Sequence, residues 1–570
     1  MFSKRFFIIL FLSVIISCAT PDRSTSDHAP LPPEIGQDLQ AKQGMVSSAN
    51  KLASQIGVDI LKKGGNAVDA AVATAFAVSV TEPEMSGLGG GGAMMIWLEK
   101  TKEPIYLDFY SAKRVKTYEN LPQKGDDQAL WEVAIPGEVA GLLHALEAYG
   151  NLSRQQVMQP AIDLAENGFP MYRTLAEFIT SNVEKLKKHD GAKRFLLDGK
   201  PFPVGKLFKQ PELAQSLRQV AEGGAAAFYD GPLTQDIIKV MNEGGNPVTA
   251  EDFKGYTVNT DRGLLKTTYR DWTVLSAPSP QGGLEVIEDL NLLEPFNLKE
   301  MGLPTQSDTT FHVLTAAMRA GVSDRKYIVD PHWIEAPVSI LSSKEYAQKR
   351  AADVFRSPVE KNIPEDALNS LSQLKEPQAA PALEMAGGET TSLSVMDKDG
   401  NAVNLTHTLS NVFGGNAVWV NGFFLNNSGM RLSSVDEAQV KAQPDSEYWT
   451  RYSTIAPTII LNPDQTVRMV LGAPGGGRID PAIVQNIIYI LDYDMDPATA
   501  ARMPRIYPAY GQWVNIGKGF KGEVIGNAYK KGYRFYPDLG GYARIYVIEK
   551  KDGHLRGAAD PKHEGGVSGY

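Results

Sequence analysis

Leu52, Ile56, Ile60 and Leu61 recur at the spacing of one helical face, and the run stops at Gly64-Gly65. This pattern predicts an amphipathic helix with a glycine stop. Asp69 to Val80 is alanine-rich and apolar on every side, which predicts a second helix buried all round. The string Gly87-Leu88-Gly89-Gly90-Gly91-Gly92 follows it and leads into a strand-like stretch, Ala93 to Leu98. It fits G-x-G-x-x-G, but a dinucleotide site needs a strand before the glycines and a helix after them. The order here is reversed, so the glycines predict a tight turn that brings backbone against another element. From about Arg154 to Asp330 the pattern predicts amphipathic helices alternating with loops, and Pro247 to Tyr256 a loop entering a helix capped by Thr249. Between about Arg356 and Gly388 periodicity gives way to Pro, Ala, Glu and Gln, which predicts a long exposed segment.

The period then changes to two. Ser392-Leu393-Ser394-Val395 and Val403-Asn404-Leu405-Thr406 alternate polar and apolar around the turn residues Asp397-Lys398-Asp399-Gly400-Asn401, which predicts a β-hairpin. A turn centred on Asp399 sets residues whose numbers sum to 798 opposite each other, and so sets Thr390 across from Thr408. A one-residue error in the centre would make the partner Leu409 or His407.

A chain of 570 residues, 43% hydrophobic and 22% charged, can bury a large core. Its formal charge of -9 is spread without acidic or basic blocks, so it carries no footprint for nucleic acid. One large domain is expected after a leader. Lys4 and Arg5 precede an apolar run from Phe6 to Ile16, too short to span a bilayer and suited to export. The run ends at Ile16-Ser17-Cys18, which resembles a bacterial lipoprotein cleavage box. Residues 1–18 are therefore read as a lipoprotein-type signal, with an ordinary signal peptide as the alternative, and 19–42 as a flexible tether rich in Pro, Ser and Asp. The expected location is the periplasm, with a lipid anchor on Cys18. Cys18 is the one cysteine, so no disulfide can form within a single chain.

A threonine hydroxyl needs an adjacent base to act as a nucleophile. The chain has no G-x-S-x-G, no H-E-x-x-H and no clustered histidines. A threonine at the head of a chain brings its own base, because an α-amine titrates near about 7.7–8.0. For Thr390 this requires cleavage of the Glu389–Thr390 bond, with the hydroxyl attacking the preceding carbonyl to form an ester that water resolves. Two threonines opening an ordinary strand is the alternative on the hairpin alone.

Several segments in order along residues 43–570 decide between the two. They are Leu61-Lys62-Lys63-Gly64-Gly65-Asn66-Ala67-Val68-Asp69-Ala70-Ala71-Val72, Ser86 to Gly92, Ile135 to Gly141, Thr390-Thr391 with Asp399-Gly400-Asn401-Ala402-Val403, Leu471 to Arg478, Gly557 to Pro561 and Gly569-Tyr570. Together they resemble the γ-glutamyltransferase family, also called glutathione hydrolase. The resemblance implies an α+β fold, the four-layer αββα sandwich of N-terminal-nucleophile hydrolases. It implies a heterodimer of self-cleaved subunits, large 43–389 and small 390–570, and no metal or organic cofactor. By resemblance Thr390 is the nucleophile, Thr408 its hydroxyl partner, and the amides of Gly475 and Gly476 the oxyanion hole. Ser453 and Thr454 match the hydroxyl pair that helps hold the donor carboxylate.

Four positions depart from the pattern. The family has an arginine for the donor's α-carboxylate where this chain has Tyr110, with Arg114 four residues on. A Glu or Gln is replaced by Ser428, an Asn by Ser410, and the acidic residue for the donor's α-amine aligns with Arg431. The expected donor is a small γ-glutamyl amide, with water, an amino acid or a peptide as acceptor. The alternatives are a different acyl donor, as in the cephalosporin-acylase-like branch or the cell-envelope polymer transpeptidases, and a non-catalytic envelope binding lipoprotein.

Overall fold

The computed structural model describes residues 38–114, 128–189, 191–356, 359–364, 366–371, 389–429, 441, 446–509, 511–536 and 543–570. The leader with Cys18, the tether up to residue 37, residues 372–388 and Arg431 lie outside the described residues.

The helix at Lys51–Lys62 has the predicted stop, and Asn50 caps its start. The next helix, Ala67–Thr81, opens with a reciprocal capping box between Asn66 and Asp69 and is buried at every residue. Its apolar circumference is accounted for on all sides. One side lies on the strands Glu389–Met396 and Ala402–Ser410, and others meet the helices Lys51–Lys62, Glu138–Tyr149 and Arg154–Asn167.

Two antiparallel sheets form the centre. One has six strands in the order Gly566–Gly569, Met45–Ser48, Glu389–Met396, Ala402–Ser410, Gly91–Leu98 and Glu103–Phe109. The other has seven, in the order Asp38–Ala41, His554–Ala559, Tyr546–Lys551, Val467–Gly472, Thr458–Leu461, Trp272–Ser276 and Leu265–Tyr269. Helices cover both outer faces. Val72 and Phe76 pack with Leu393 and Leu405 on one side, and Ile287, Ile483 and Ile487 with Val470 on the other. The architecture is the expected four-layer αββα sandwich.

The predicted hairpin pairs as counted from Thr391↔His407 to Met396↔Ala402, and the register slips by one at Glu389↔Ser410. Its alternating polar residues point into the space between the sheets rather than to solvent. There Ser392 Oγ meets Thr406 Oγ1 at 3.0 Å, and Ser394 Oγ donates to Tyr546 O at 2.8 Å. Gly472 of the facing sheet is required by this polar layer: a Cβ there would lie 2.4 Å from Asn404 Oδ1 and 2.5 Å from Ser392 Oγ.

Three expectations change. The region read as helices and loops contains the hairpin Leu265–Tyr269/Trp272–Ser276, whose β-branched and aromatic residues flank a two-residue turn at Arg270-Asp271. Within the expected tether, Asp38–Ala41 pairs with the strand His554–Ala559 through main-chain bonds that leave no hydropathy pattern. In the segment read as exposed, Asp366–Leu371 is helical and buries Leu368.

Candidate active site

Thr390 is the second residue of its strand and is buried, with 4% of its surface exposed. Its Oγ1 donates to Thr408 Oγ1 at 3.3 Å, the pair that the hairpin register predicts. The one-residue slip lies at this point, between Glu389 and Thr391. It leaves Ser410 at φ 72°, and the Ser410 amide turns back to donate to Thr408 Oγ1 at 2.7 Å. A bulge at a strand end re-aims side chains and stops pairing, and here it sets the two hydroxyls against each other. The glycine-rich turn presses on the same spot, since a Cβ on Gly90 would lie 2.6 Å from Thr408 O.

Below Thr390 lies a buried ionic cluster that sequence reasoning did not find. Thr391 Oγ1 donates to Glu82 Oε2 at 2.8 Å, and Arg544 Nη2 donates to Thr390 O at 3.2 Å. Arg544 Nη1 is 3.9 Å from Glu82 Oε1 and 2.6 Å from His563 Nδ1. Arginine has no acceptor, so that ring nitrogen accepts. Burial, then Arg544 and Lys562, push the His563 pKa down to about 2, which keeps the ring neutral. Burial raises the Glu82 pKa against the pull of Arg544, and burial together with Glu82 raises that of Glu84 well above the ordinary carboxyl value.

Four successive carbonyls of the late glycine-rich loop are clamped. Pro474 O accepts from Arg544 N at 3.1 Å, and Gly475 O from Arg478 N at 3.2 Å. Gly476 O accepts from Thr454 Oγ1 at 2.8 Å, and Gly477 O from Arg325 Nη2 at 3.1 Å. Peptide planarity transfers each carbonyl's orientation to the following N–H. The amides of Gly475, Gly476 and Gly477 are thereby fixed before any ligand arrives. Gly475 has φ 142°, and a Cβ there would lie 2.6 Å from Ala543 Cα. Arg325 is itself held by Glu285, through Nε at 2.5 Å and Nη2 at 2.8 Å.

Three of the four departures meet in one chain of hydroxyls. Tyr110 Oη lies 3.0 Å from Ser410 Oγ, which lies 2.7 Å from Ser428 Oγ. Tyr110 also lines a cavity of about 190 Å³ with Asp108, Tyr256, Arg262, Tyr448 and Thr450. Arg262 bridges Asp108 at 2.8 Å and Asp330 at 2.9 Å, so its charge is already balanced. Arg114 is engaged by Glu447 at 2.7 Å and Asp252 at 3.3 Å, which argues against its serving in place of Tyr110. Ser453 accepts from the Ile455 amide at 3.3 Å, and its own amide donates to Pro280 O. Among the described residues, Arg451 is a cation beside the hydroxyl chain, and sequence reasoning passed over it. Its Nη1 donates to Asn427 O at 3.2 Å, next to Ser428, and its buried Nε has no partner among the described residues. No spacing rule marks Arg451; only the meeting of distant segments reveals it.

The sequence model of the family described as Gamma-glutamyltranspeptidase matches residues 53–570. The glutathione hydrolase proenzyme of Escherichia coli (strain K12) is 32% identical over 559 residues, covering 93% of this chain and 92% of that protein. The glutathione hydrolase proenzyme of Bacillus subtilis (strain 168) is 30% identical over 550 residues, covering 93% and 92%. Among solved structures, the cephalosporin acylase from Bacillus halodurans matches with a TM-score of 0.80 at 26% identity, covering 95% of this chain and 98% of that one.

Proposed function

The chain belongs to the gamma-glutamyltranspeptidase family and is an N-terminal-nucleophile enzyme of glutathione hydrolase type, and we propose that it cleaves itself between Glu389 and Thr390 to make a large subunit, 43–389, and a small one, 390–570. The observation that carries this reading is the Thr390–Thr408 hydroxyl pair, tied through Arg544 to the clamped loop at Gly475–Gly477. In cleavage Thr390 Oγ1 adds to the Glu389 carbonyl carbon and the C–N bond breaks. Water then hydrolyses the resulting ester, leaving a carboxylate on Glu389 and a free α-amine on Thr390. In turnover that amine takes the hydroxyl proton as Oγ1 attacks the donor's acyl carbon. The Gly475 and Gly476 amides meet the developing oxyanion, and the proton passes on to the departing amine. Removal of one oxyanion donor costs roughly 2.7–4 kcal/mol in other enzymes. Water or an amine acceptor then releases the acyl group from Thr390.

The donor is a γ-glutamyl amide in this reading. Arg451, with Ser453, meets the carboxylate in place of a cation at position 110, since a guanidinium matches carboxylate geometry and a phenol does not, while Thr454, whose hydroxyl proton is given to Gly476 O, holds the loop instead. A second reading, an acylase whose donors lack the α-amine, is favoured by the hydroxyl chain: Tyr110, Ser410 and Ser428 offer an ammonium no negative charge. The two readings are separated by hydrolysis of a γ-glutamyl anilide and a glutaryl anilide side by side, since both keep the carboxylate and only the first has the amine. A kcat/KM favouring the γ-glutamyl compound supports the first reading, and one favouring glutaryl the second. Thr390→Ala abolishes turnover of both anilides, and parental activity in that variant would put the nucleophile elsewhere. Export with a lipid on Cys18 is proposed from the leader pattern. Fatty-acid labelling lost in Cys18→Ser supports it, and an unlabelled parent refutes it.

A further inference from the structure

Arg544 touches both halves of the site at once. Its backbone N–H holds Pro474 O at 3.1 Å, which orients the Gly475 amide. Its side chain holds Thr390 O at 3.2 Å, and the preceding residue, Ala543, is the backbone against which Gly475 packs. Arg544 is nearly inaccessible, at 3% exposure, and is oriented on its far side by neutral His563 and by Glu82. Glu82 in turn accepts from Thr391 Oγ1, so the guanidinium and this carboxylate together grip Thr390 and Thr391, the two residues that follow the cleavage point.

We propose that Arg544 is a positioning residue that locks the new N-terminal threonine in register with the oxyanion loop. The inference rests on the reading of Thr390 as nucleophile. Before cleavage Thr390 is restrained by peptide bonds on both sides. Afterwards its amine side is free, and rotation about its backbone is limited by what holds its carbonyl and its hydroxyl. Thr408 holds the hydroxyl and Arg544 holds the carbonyl. One guanidinium therefore sets where Oγ1 stands relative to amides whose orientation depends on the same residue's backbone. A misplacement of about 1 Å between reacting groups can lower a rate about 100-fold. The backbone bond to Pro474 is available to any residue but proline, so a variant isolates the side chain's share.

The test compares Arg544→Met, Arg544→Lys and parent as purified, processed proteins, with Thr390→Ala alongside and folding checked by thermal melting. Arg544→Met is expected to lower kcat about 30- to 100-fold with KM changed less than about 3-fold, and to lengthen the half-time of self-cleavage in parallel. Arg544→Lys keeps the charge but cannot span Thr390 O, His563 and Glu82 together, and is expected to recover less than about a tenth of the parental kcat. If Arg544→Met does not accumulate folded, the lysine variant decides on the same readouts. Parental kcat in the methionine variant, full recovery in the lysine variant, or a loss expressed only in KM would overturn the proposal. An active Thr390→Ala would instead overturn the reading on which it rests.

Discussion

Gly475→Ala tests the preset loop directly. At φ 142° the residue occupies a region that L side chains rarely adopt, and holding a non-glycine residue there costs on the order of 1–3 kcal/mol. The new Cβ would also stand 2.6 Å from Ala543 Cα, 2.8 Å from Ala543 Cβ and 3.1 Å from Ala543 N. Carbon atoms pack at about 3.5–4.0 Å, so the two backbones must part by about 1 Å. Ala543 leads directly into the Arg544 N–H that clamps Pro474 O, and the separation therefore rotates the Gly475 amide away from its set direction. Loss of one oxyanion donor corresponds to about 100- to 1000-fold in kcat. The control is Gly553→Ala, at φ 73° with nothing within 4 Å of its Cβ, which carries a backbone cost without a clash. The assay is kcat on a chromogenic anilide with stability measured by denaturant midpoint. The expectation is a loss of kcat of at least about 100-fold for Gly475→Ala, and unchanged kcat with about 1 kcal/mol of lost stability for Gly553→Ala. Equal kcat in the two variants would refute the reasoning.

Thr408→Val leaves the buried Ser410 N–H without its acceptor and Thr390 Oγ1 without its neighbour. An unmet buried donor costs about 1–3 kcal/mol, so self-cleavage and turnover should both slow about 10-fold or more by timed gel and anilide assay, while Thr408→Ser stays near parent. Arg451→Gln should raise KM for both the γ-glutamyl and the glutaryl anilide about 10-fold or more with kcat little changed, and an unaltered KM would remove Arg451 from the donor site. The buried Glu84 carboxyl has its pKa raised in the folded state, so between the unfolded value and that raised one the folded chain binds more protons and stability falls as pH rises. Glu84→Gln should therefore melt higher than parent at pH 7.5 and alike near pH 4. His563 has the opposite sign. Its folded pKa of about 2 lies below the ordinary histidine value of 6.5, so stability is lost as pH falls through that window, and His563→Gln should flatten the acid limb of the denaturant midpoint.

The features that local pattern controls were legible in the sequence. The first N-terminal helix follows from its periodicity and glycine stop, the second from its alanine-rich apolar run, and the Thr390–Thr408 pair from counting outward from Asp399. The register slip was not, because a bulge depends on what packs against the strand end, here Gly90 against Thr408 O. The polar alternation at Ser392, Ser394, Asn404 and Thr406 identified strands, but the same pattern serves a solvent face and a hydrogen-bonded layer between two sheets. Arg544, Glu82 and His563 were invisible for a different reason. They lie in separate segments, with Glu82 and Arg544 462 positions apart, and become a unit only through the fold. Tyr110, Ser410 and Ser428 were each noticed as departures, yet their joining into one chain needed the strand Glu103–Phe109 to lie near the end of Ala402–Ser410.

Mass spectrometry with N-terminal sequencing of the purified protein, followed over time at neutral pH, tests the central claim most directly. The account predicts two fragments, with the smaller beginning at Thr390 and ending at Tyr570, and a Thr390→Ala protein that remains one chain. A folded parent that stays intact on prolonged incubation, or a small fragment with any other first residue, would contradict it.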